Sequence, residues 1–291
     1  MTAMAGRALA EWPALAAQAI VFGTAAFALT LAHAPRFQGD RLGVALTGLW
    51  RAAALVAVAF MPLILLTGTA SMADMPTMKA APFAAEVVRE THFGHVWLYR
   101  FGAAMILAAL AWAPMRGIAR TISLCGVSGA MLALTALAGH AIDHGPPVIA
   151  VYVIHEMAAS MWIGAVLALW IGAIRGRLGD DWVMRASVRV SSVAAWSVLA
   201  IVASGVYTAY VALDGDPSRL LYSAYGRALT VKLAATALVL LIGGYNRFFV
   251  IPAIAKPASR TVLVRNVGIE SLMLAGVLGL AALLANTPPA H

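Results

Sequence analysis

Three groups of residues have the types and spacing to hold a metal ion. The first is Ser71-Met72-Ala73-Asp74-Met75-Pro76-Thr77-Met78, with methionine at every third position and an aspartate among them. Thioether sulfur is soft and neutral, so it suits Cu(I) better than Zn(II) or Mg(II). It needs no deprotonation and therefore binds in acidic surroundings too. The second is His92-Phe93-Gly94-His95, an i,i+3 pair whose imidazoles share one face of a helix. The third is Gly139-His140-Ala141-Ile142-Asp143-His144, followed by Val153-Ile154-His155-Glu156-Met157. His140 and His144 are spaced i,i+4, and Asp143 is placed to orient an imidazole from outside the coordination sphere. His155, Met161 and Trp162 fall roughly on one helical face, although simple packing also accounts for the last two.

These residues must be positioned by membrane helices. Of the 291 residues, 62% are hydrophobic and only 11% charged, with a mean hydropathy of +0.87. A soluble domain carries about 25% charged residues, so the outside of this molecule is built for lipid. Eight apolar stretches are long enough to span: 12–32, 44–70, 97–114, 117–139, 147–172, 187–212, 226–246 and 262–285. The second is long enough to tilt or to end in a non-helical segment near Pro62. Ala32-His33-Ala34 resembles a signal-peptide cleavage site, but the preceding apolar stretch is too long for one and reads as a span. The expected fold is an all-α polytopic bundle of about eight transmembrane helices. It forms a single transmembrane domain over 1–291, with 71–96 as an extracytoplasmic Met/His loop and no internal repeat evident.

Lys and Arg set the orientation. Thirteen of the 20 fall in or beside the connections 33–43, 114–117, 173–186 and 247–261, which are therefore expected in the cytoplasm. Both termini and the connections 71–96, 140–146 and 213–225 then face the periplasm. Six of the seven histidines, all but His33, land on that outer side without having been used to choose it.

Several charges fall inside helices, where an ionisable group is a functional candidate. His155 and Glu156 lie about two turns inside the fifth span, and Lys232 about two turns inside the seventh. Glu270 lies near the middle of the eighth. Lys232 and Glu270, on sequential antiparallel helices, are expected to form an ion pair or a polar step along a transport path. Arg100 is expected to pair with Glu86 or Glu90.

Catalysis finds no support. There is no P-loop, GxSxG or HExxH, and His155-Glu156 is followed by Met157-Ala158-Ala159. The single Cys125 excludes an internal disulfide and any CxxC site. The net charge of +8 sits at helix ends rather than on one face, which argues against nucleic acid.

Four pieces resemble the CopD family of copper-resistance membrane proteins: Gly139-His140-Ala141; His155 through Trp162-Ile163-Gly164; Tyr225-Gly226-Arg227-Ala228-Leu229-Thr230-Val231-Lys232 with Asn246-Arg247; and Glu270 with Pro288-Pro289. The resemblance implies an inner-membrane protein of copper uptake, homeostasis or resistance, acting beside a periplasmic copper-binding partner of the CopC type that would be a separate chain. The methionine run is not part of the resemblance. The expected function is copper transport, with Met72, Met75, Met78, His92 and His95 collecting the ion outside. His140 and His155, with His144 nearby, form the entry site. Asp143, Glu156, Met157, Met161, Trp162, Lys232 and Glu270 support it or line the path. Cu(I) is the favoured species, with Cu(II) also accommodated by imidazole. Two rivals use the same residues: a membrane electron carrier holding haem b between histidines, and a non-transporting factor that delivers copper to another protein.

Overall fold

The computed structural model describes residues 3–32, 39–139, 142, 144–174 and 179–288. In a bilayer each apolar segment must satisfy its own backbone hydrogen bonds, and the described residues accordingly form helices with no strand. They are α1 (Ala3–Ala32), α2 (Gly39–Met72), α3 (Ala84–Glu90), α4 (His92–Trp112), α5 (Gly117–Leu137), α6 (Pro146–Ile174), α7 (Gly179–Ala212), α8 (Arg219–Tyr222), α9 (Ala224–Tyr245) and α10 (Pro257–Ala285). Eight of them, all but the short α3 and α8, are long and apolar enough to cross a membrane. The connection 71–96 and the start of α6 mark one end of the bundle, here the histidine end. The other is the arginine end.

Two boundaries differ from the sequence reading. Helix α2 runs unbroken through Pro62 to Met72, because losing one backbone bond costs less than exposing several to lipid. Helix α4 begins at His92 rather than near 97, because the Thr91 hydroxyl caps it by accepting the Gly94 N–H at 3.0 Å.

The fold also contains a repeat that the sequence reading missed. The order long helix, long helix, short helix plus span, span occurs twice: α1, α2, α3–α4, α5 and then α6, α7, α8–α9, α10. Helices α2 and α7 are each 34 residues long and begin Gly39-Asp40 and Gly179-Asp180. The entry into α4 recurs at α9, where the Ser223 hydroxyl accepts the Gly226 N–H at 2.8 Å. In both, the third helical residue is glycine pressed against the preceding short helix. A Cβ would stand 2.0 Å from the Val87 carbonyl oxygen at Gly94, and 2.2 Å from that of Arg219 at Gly226. A cation follows nine positions after each cap, Arg100 after Thr91 and Lys232 after Ser223. Packing repeats as well: α1 on α2 as α6 on α7, α1 on α5 as α6 on α10, and α4 on α5 as α9 on α10.

The halves join where α1 crosses α6. A Cβ on Gly23 would lie 1.8 Å from the Ser160 carbonyl oxygen, and one on Gly164 would lie 2.0 Å from the Gly23 carbonyl carbon. Only paired glycines permit this backbone contact, the small-residue crossing that membrane helices use to gain dispersion energy. Trp50 of α2 secures α1 by donating to the Thr24 hydroxyl at 2.8 Å.

Candidate metal centre and polar core

The loop at the histidine end is folded back on α2. Ala73 and Met75 donate their N–H groups to Thr69 and Ala70, and Asp74 adopts φ of 46° to make the turn. Met78 is 92% exposed and Met72 about half, whereas Met75 is partly covered. The run therefore presents its sulfurs unequally. His92 and His95 occupy the first turn of α4, both exposed. Their Nε2 atoms meet different carbonyl oxygens, Leu137 of α5 at 3.1 Å and Arg89 of α3 at 2.9 Å, so each ring is held by a different helix. His144 is exposed in the short turn before α6. His140 and Asp143 lie outside the described residues. Among the described residues no three His, Cys, Asp or Glu side chains form a metal-binding group.

His155 is different, being held inside the bundle between α6 and α7. Its Nδ1 lies 3.0 Å from the Ser204 hydroxyl, which itself donates to the Ala200 carbonyl. With the hydroxyl proton turned to Ala200, Nδ1 is the donor to Ser204, and the Ile201 carbonyl also bonds to the ring. Gly205 makes room for the ring, as a Cβ there would stand 3.2 Å from Cε1. Met157, one turn on at most, turns to Gly129 of α5, and Met161 is partly covered.

Beside His155, charges from both halves converge on Glu156. Arg100 from α4, Lys232 from α9 and Glu11 from α1 all act on it electrostatically. Arg100 is only 2% exposed, and its Nε and the Glu156 Oε2 are buried without a hydrogen-bond partner among the described residues. Glu11 is fixed by Arg7 at 3.3 Å and by Asn286 Nδ2 at 2.9 Å. Arg100 thus faces α1 and α6, not Glu86 or Glu90 as expected. The early start of α4 carries it about two turns into the bundle, away from α3.

Nor does Lys232 pair with Glu270. Counted from the histidine end, Lys232 is eight residues into α9 and Glu270 fifteen residues into α10, a mismatch of roughly 10 Å in depth. Glu270 belongs to a second, deeper polar group. It accepts from Trp162 and from Asn246 Nδ2 at 3.4 Å, and Asn246 Oδ1 accepts from Asn266 Nδ2 at 2.8 Å. Asn246 sits at the start of a five-residue π-helical turn, Asn246–Val250, a local widening common at functional sites. This group borders a cavity of about 320 Å³ between α6, α7, α9 and α10. Sequence reasoning missed Ser204, Asn246 and Asn266 as site residues. The available signal was polar side chains inside otherwise apolar spans.

Comparison with known proteins gives this arrangement a family. The profile described as copper resistance protein D-like, N-terminal domain, matches residues 1–146, which is the first half up to the start of α6. The profile of copper resistance protein D matches residues 184–284 in the second half. Inner membrane protein YebZ of Escherichia coli K12 is 26% identical over 217 residues, covering 72% of this chain and 73% of that protein. Copper resistance protein D of Pseudomonas syringae pv. tomato is 28% identical over 231 residues, covering 73% and 74%. No solved structure matches. This membrane protein belongs to the copper resistance protein D family.

Proposed function

We propose that the protein carries copper across the inner membrane, in uptake, homeostasis or resistance, with the histidine end and both termini in the periplasm. The observation that carries this reading is His155, an imidazole inside the bundle with Nδ1 held on Ser204; Nε2 is the nitrogen proposed to coordinate. The name of the Pseudomonas relative supports copper as the ion, and that of the Escherichia relative supports the inner membrane. Met72, Met75 and Met78 favour Cu(I) at the entrance, where a separate periplasmic protein of the CopC type would deliver it. His92 and His95 serve there singly rather than as a chelating pair. His140, His144 and Asp143 precede α6 and complete the entry site with His155. The ion then passes Glu156 and Lys232 to Trp162, Asn246, Asn266 and Glu270, and leaves at the arginine end. The whole chain works as one transmembrane unit.

The test is copper binding and flux with purified protein. Wild type in sealed vesicles should take up copper, and His155→Ala, alone or with His140→Ala, should lower both affinity and uptake. Unchanged affinity in the double variant removes these residues from the site. Binding without flux favours a factor that delivers copper without transporting it. The haem reading has no specific observation in its favour. It needs two interior histidines, and of those described only His155 is interior; His92, His95 and His144 are exposed.

A further inference from the structure

The cavity beside Glu270 has a use that the copper reading does not assign. Its floor is made by the core helices α6 and α10, through Trp162 and Leu263, both nearly fully buried. Its lips are α7 and α9, through Ala194 and Gly244, and these are the two least buried spans of the bundle. The space therefore opens sideways between helices that face hydrocarbon. It exists because α7 makes no extended contact with α9, whereas the corresponding helices α2 and α4 of the first half pack together. An open apolar cleft facing a bilayer is filled by the apolar solvent at hand, which is lipid chain.

The mouth at the arginine end supplies the polar half of the ligand. Arg247 lines the cleft there, exposed, with Nη1 donating to the Ser191 carbonyl at 2.8 Å and to its hydroxyl at 2.7 Å. This clamp joins the two lips and points a fixed guanidinium at the mouth. Arg247 takes part in none of the ion pairs found among the described residues. Tyr245, exposed and stacked on Phe249 at 5.6 Å, marks the headgroup level, where tyrosine is enriched. A guanidinium at that level, above an apolar cleft, matches the phosphate and chain of a phospholipid.

We infer that the cleft between α7 and α9 is a phospholipid site, with one acyl chain lying over Trp162 and the phosphate held by Arg247. The cleft shares Trp162 and Glu270 with the proposed copper path, but lipid retention is read without copper, so either reading can fail without the other.

Native mass spectrometry of detergent-purified protein equilibrated with phosphatidylglycerol tests the site. Wild type should retain one lipid through washing. Arg247→Gln should lower retention about tenfold, as expected for losing a charged hydrogen bond, while Lys256→Gln, an exposed charge at the same end, should not. Ala194→Phe, which fills the cleft from its lip, should abolish retention. A diacylglycerol without phosphate should bind more weakly and lose its dependence on Arg247. A second readout covers poor folding of the filled variant: phospholipid brominated on its acyl chain should quench Trp162 in wild type, measured against Trp162→Phe. Equal retention in wild type and Arg247→Gln, or no retained lipid in wild type, would mean annular lipid only and would overturn the inference.

Discussion

In the first half of the bundle α2 lies along α4 and closes the space beside α1 and α5. In the second half α7 stands off α9 and leaves a cleft over α6 and α10. The entry devices are otherwise the same: a capping hydroxyl, a glycine wedged on a short helix and a cation nine positions on. What the halves share is geometric, and what differs is chemical. His155, Ser204, Asn246, Asn266 and Glu270 all belong to the second half, and so does the cavity. The first half supplies the buried Arg100 and the central helix α1 against which the chemistry is mounted. In the duplicated scaffold one copy is closed and the other is open beside a cavity.

The strongest way to break this comparison is to part the halves. Leucine at Gly23 or Gly164 would place its Cβ about where partner backbone atoms now sit. No side-chain rotation relieves a clash that begins at Cβ, so the cost exceeds the roughly 1–3 kcal/mol of ordinary overpacking. Either variant should fail to give a monodisperse protein in gel filtration. Gly126→Leu and Gly276→Leu, whose surroundings are empty within 4 Å, should remain monodisperse. If Gly164→Leu folds normally, α1 and α6 are not the joint.

A smaller effect asks whether the two equivalent cations are equal. Arg100 is almost wholly buried with Glu156 and Glu11 acting on it, whereas Lys232 is slightly more exposed and has Glu156 as its one carboxylate. Removing one partner of a buried charge set leaves the other uncompensated and costs about 3–5 kcal/mol. Arg100→Met should therefore lower the thermal midpoint in detergent strongly and Lys232→Met less. Adding Glu156→Gln to Arg100→Met should recover part of the loss. Arg100→Lys, which copies the second half into the first, should be nearly tolerated. Equal losses for the two methionine variants would mean that Arg100 and Lys232 do not share Glu156.

The helix count was legible in the sequence because eight runs of apolar residues leave little choice in a bilayer. The interior location of His155, Glu156 and Glu270 followed from counting residues into each run. Pairings were not legible. Depth along antiparallel helices depends on where each helix starts, and an eight-residue shift in α7 or a five-residue shift in α4 moves a charge by one or two turns. The shift in α4 is what takes Arg100 away from Glu86 and Glu90. The Lys232–Glu270 pairing fails for a different reason: the two helices adjoin, but Glu270 lies much deeper from the histidine end than Lys232. The repeat was hidden for a related reason. It survives at a few positions, Thr91, Phe93, Gly94 and Arg100 against Ser223, Tyr225, Gly226 and Lys232, while the lipid-facing residues between them are free to vary among apolar types. The cleft was invisible because the lack of extended packing between α7 and α9 leaves no mark in either helix.

In the second half, if His155 ligates copper as proposed, Ser204→Ala should leave the fold intact and weaken copper binding about tenfold, the usual loss when the partner orienting a ligating histidine is removed. Thr208→Ala, one turn further along α7 and bonded only to Gly205 of its own helix, should leave affinity unchanged. Loss of affinity in both would point to a general loosening of α7 rather than to the His155 bond.

The smallest effect is the most direct test of the repeat itself. Thr91 and Ser223 each satisfy a backbone N–H that the first turn of α4 or α9 would otherwise leave open. Replacing such a cap with alanine costs about 1 kcal/mol. The two caps lie in different halves and share no partner, so their effects should add. Thr91→Ala and Ser223→Ala should therefore lower stability by similar amounts, and the double variant by about their sum. Unequal losses would be informative in a particular way. The start of α4 carries two further bonds, from His92 to Leu137 of α5 and from His95 to Arg89 of α3, and the α8–α9 joint carries the bond from Arg227 to the Tyr222 carbonyl. A milder Thr91→Ala would mean that the exposed histidines hold the loop in place, and that copper drawing them away would loosen it.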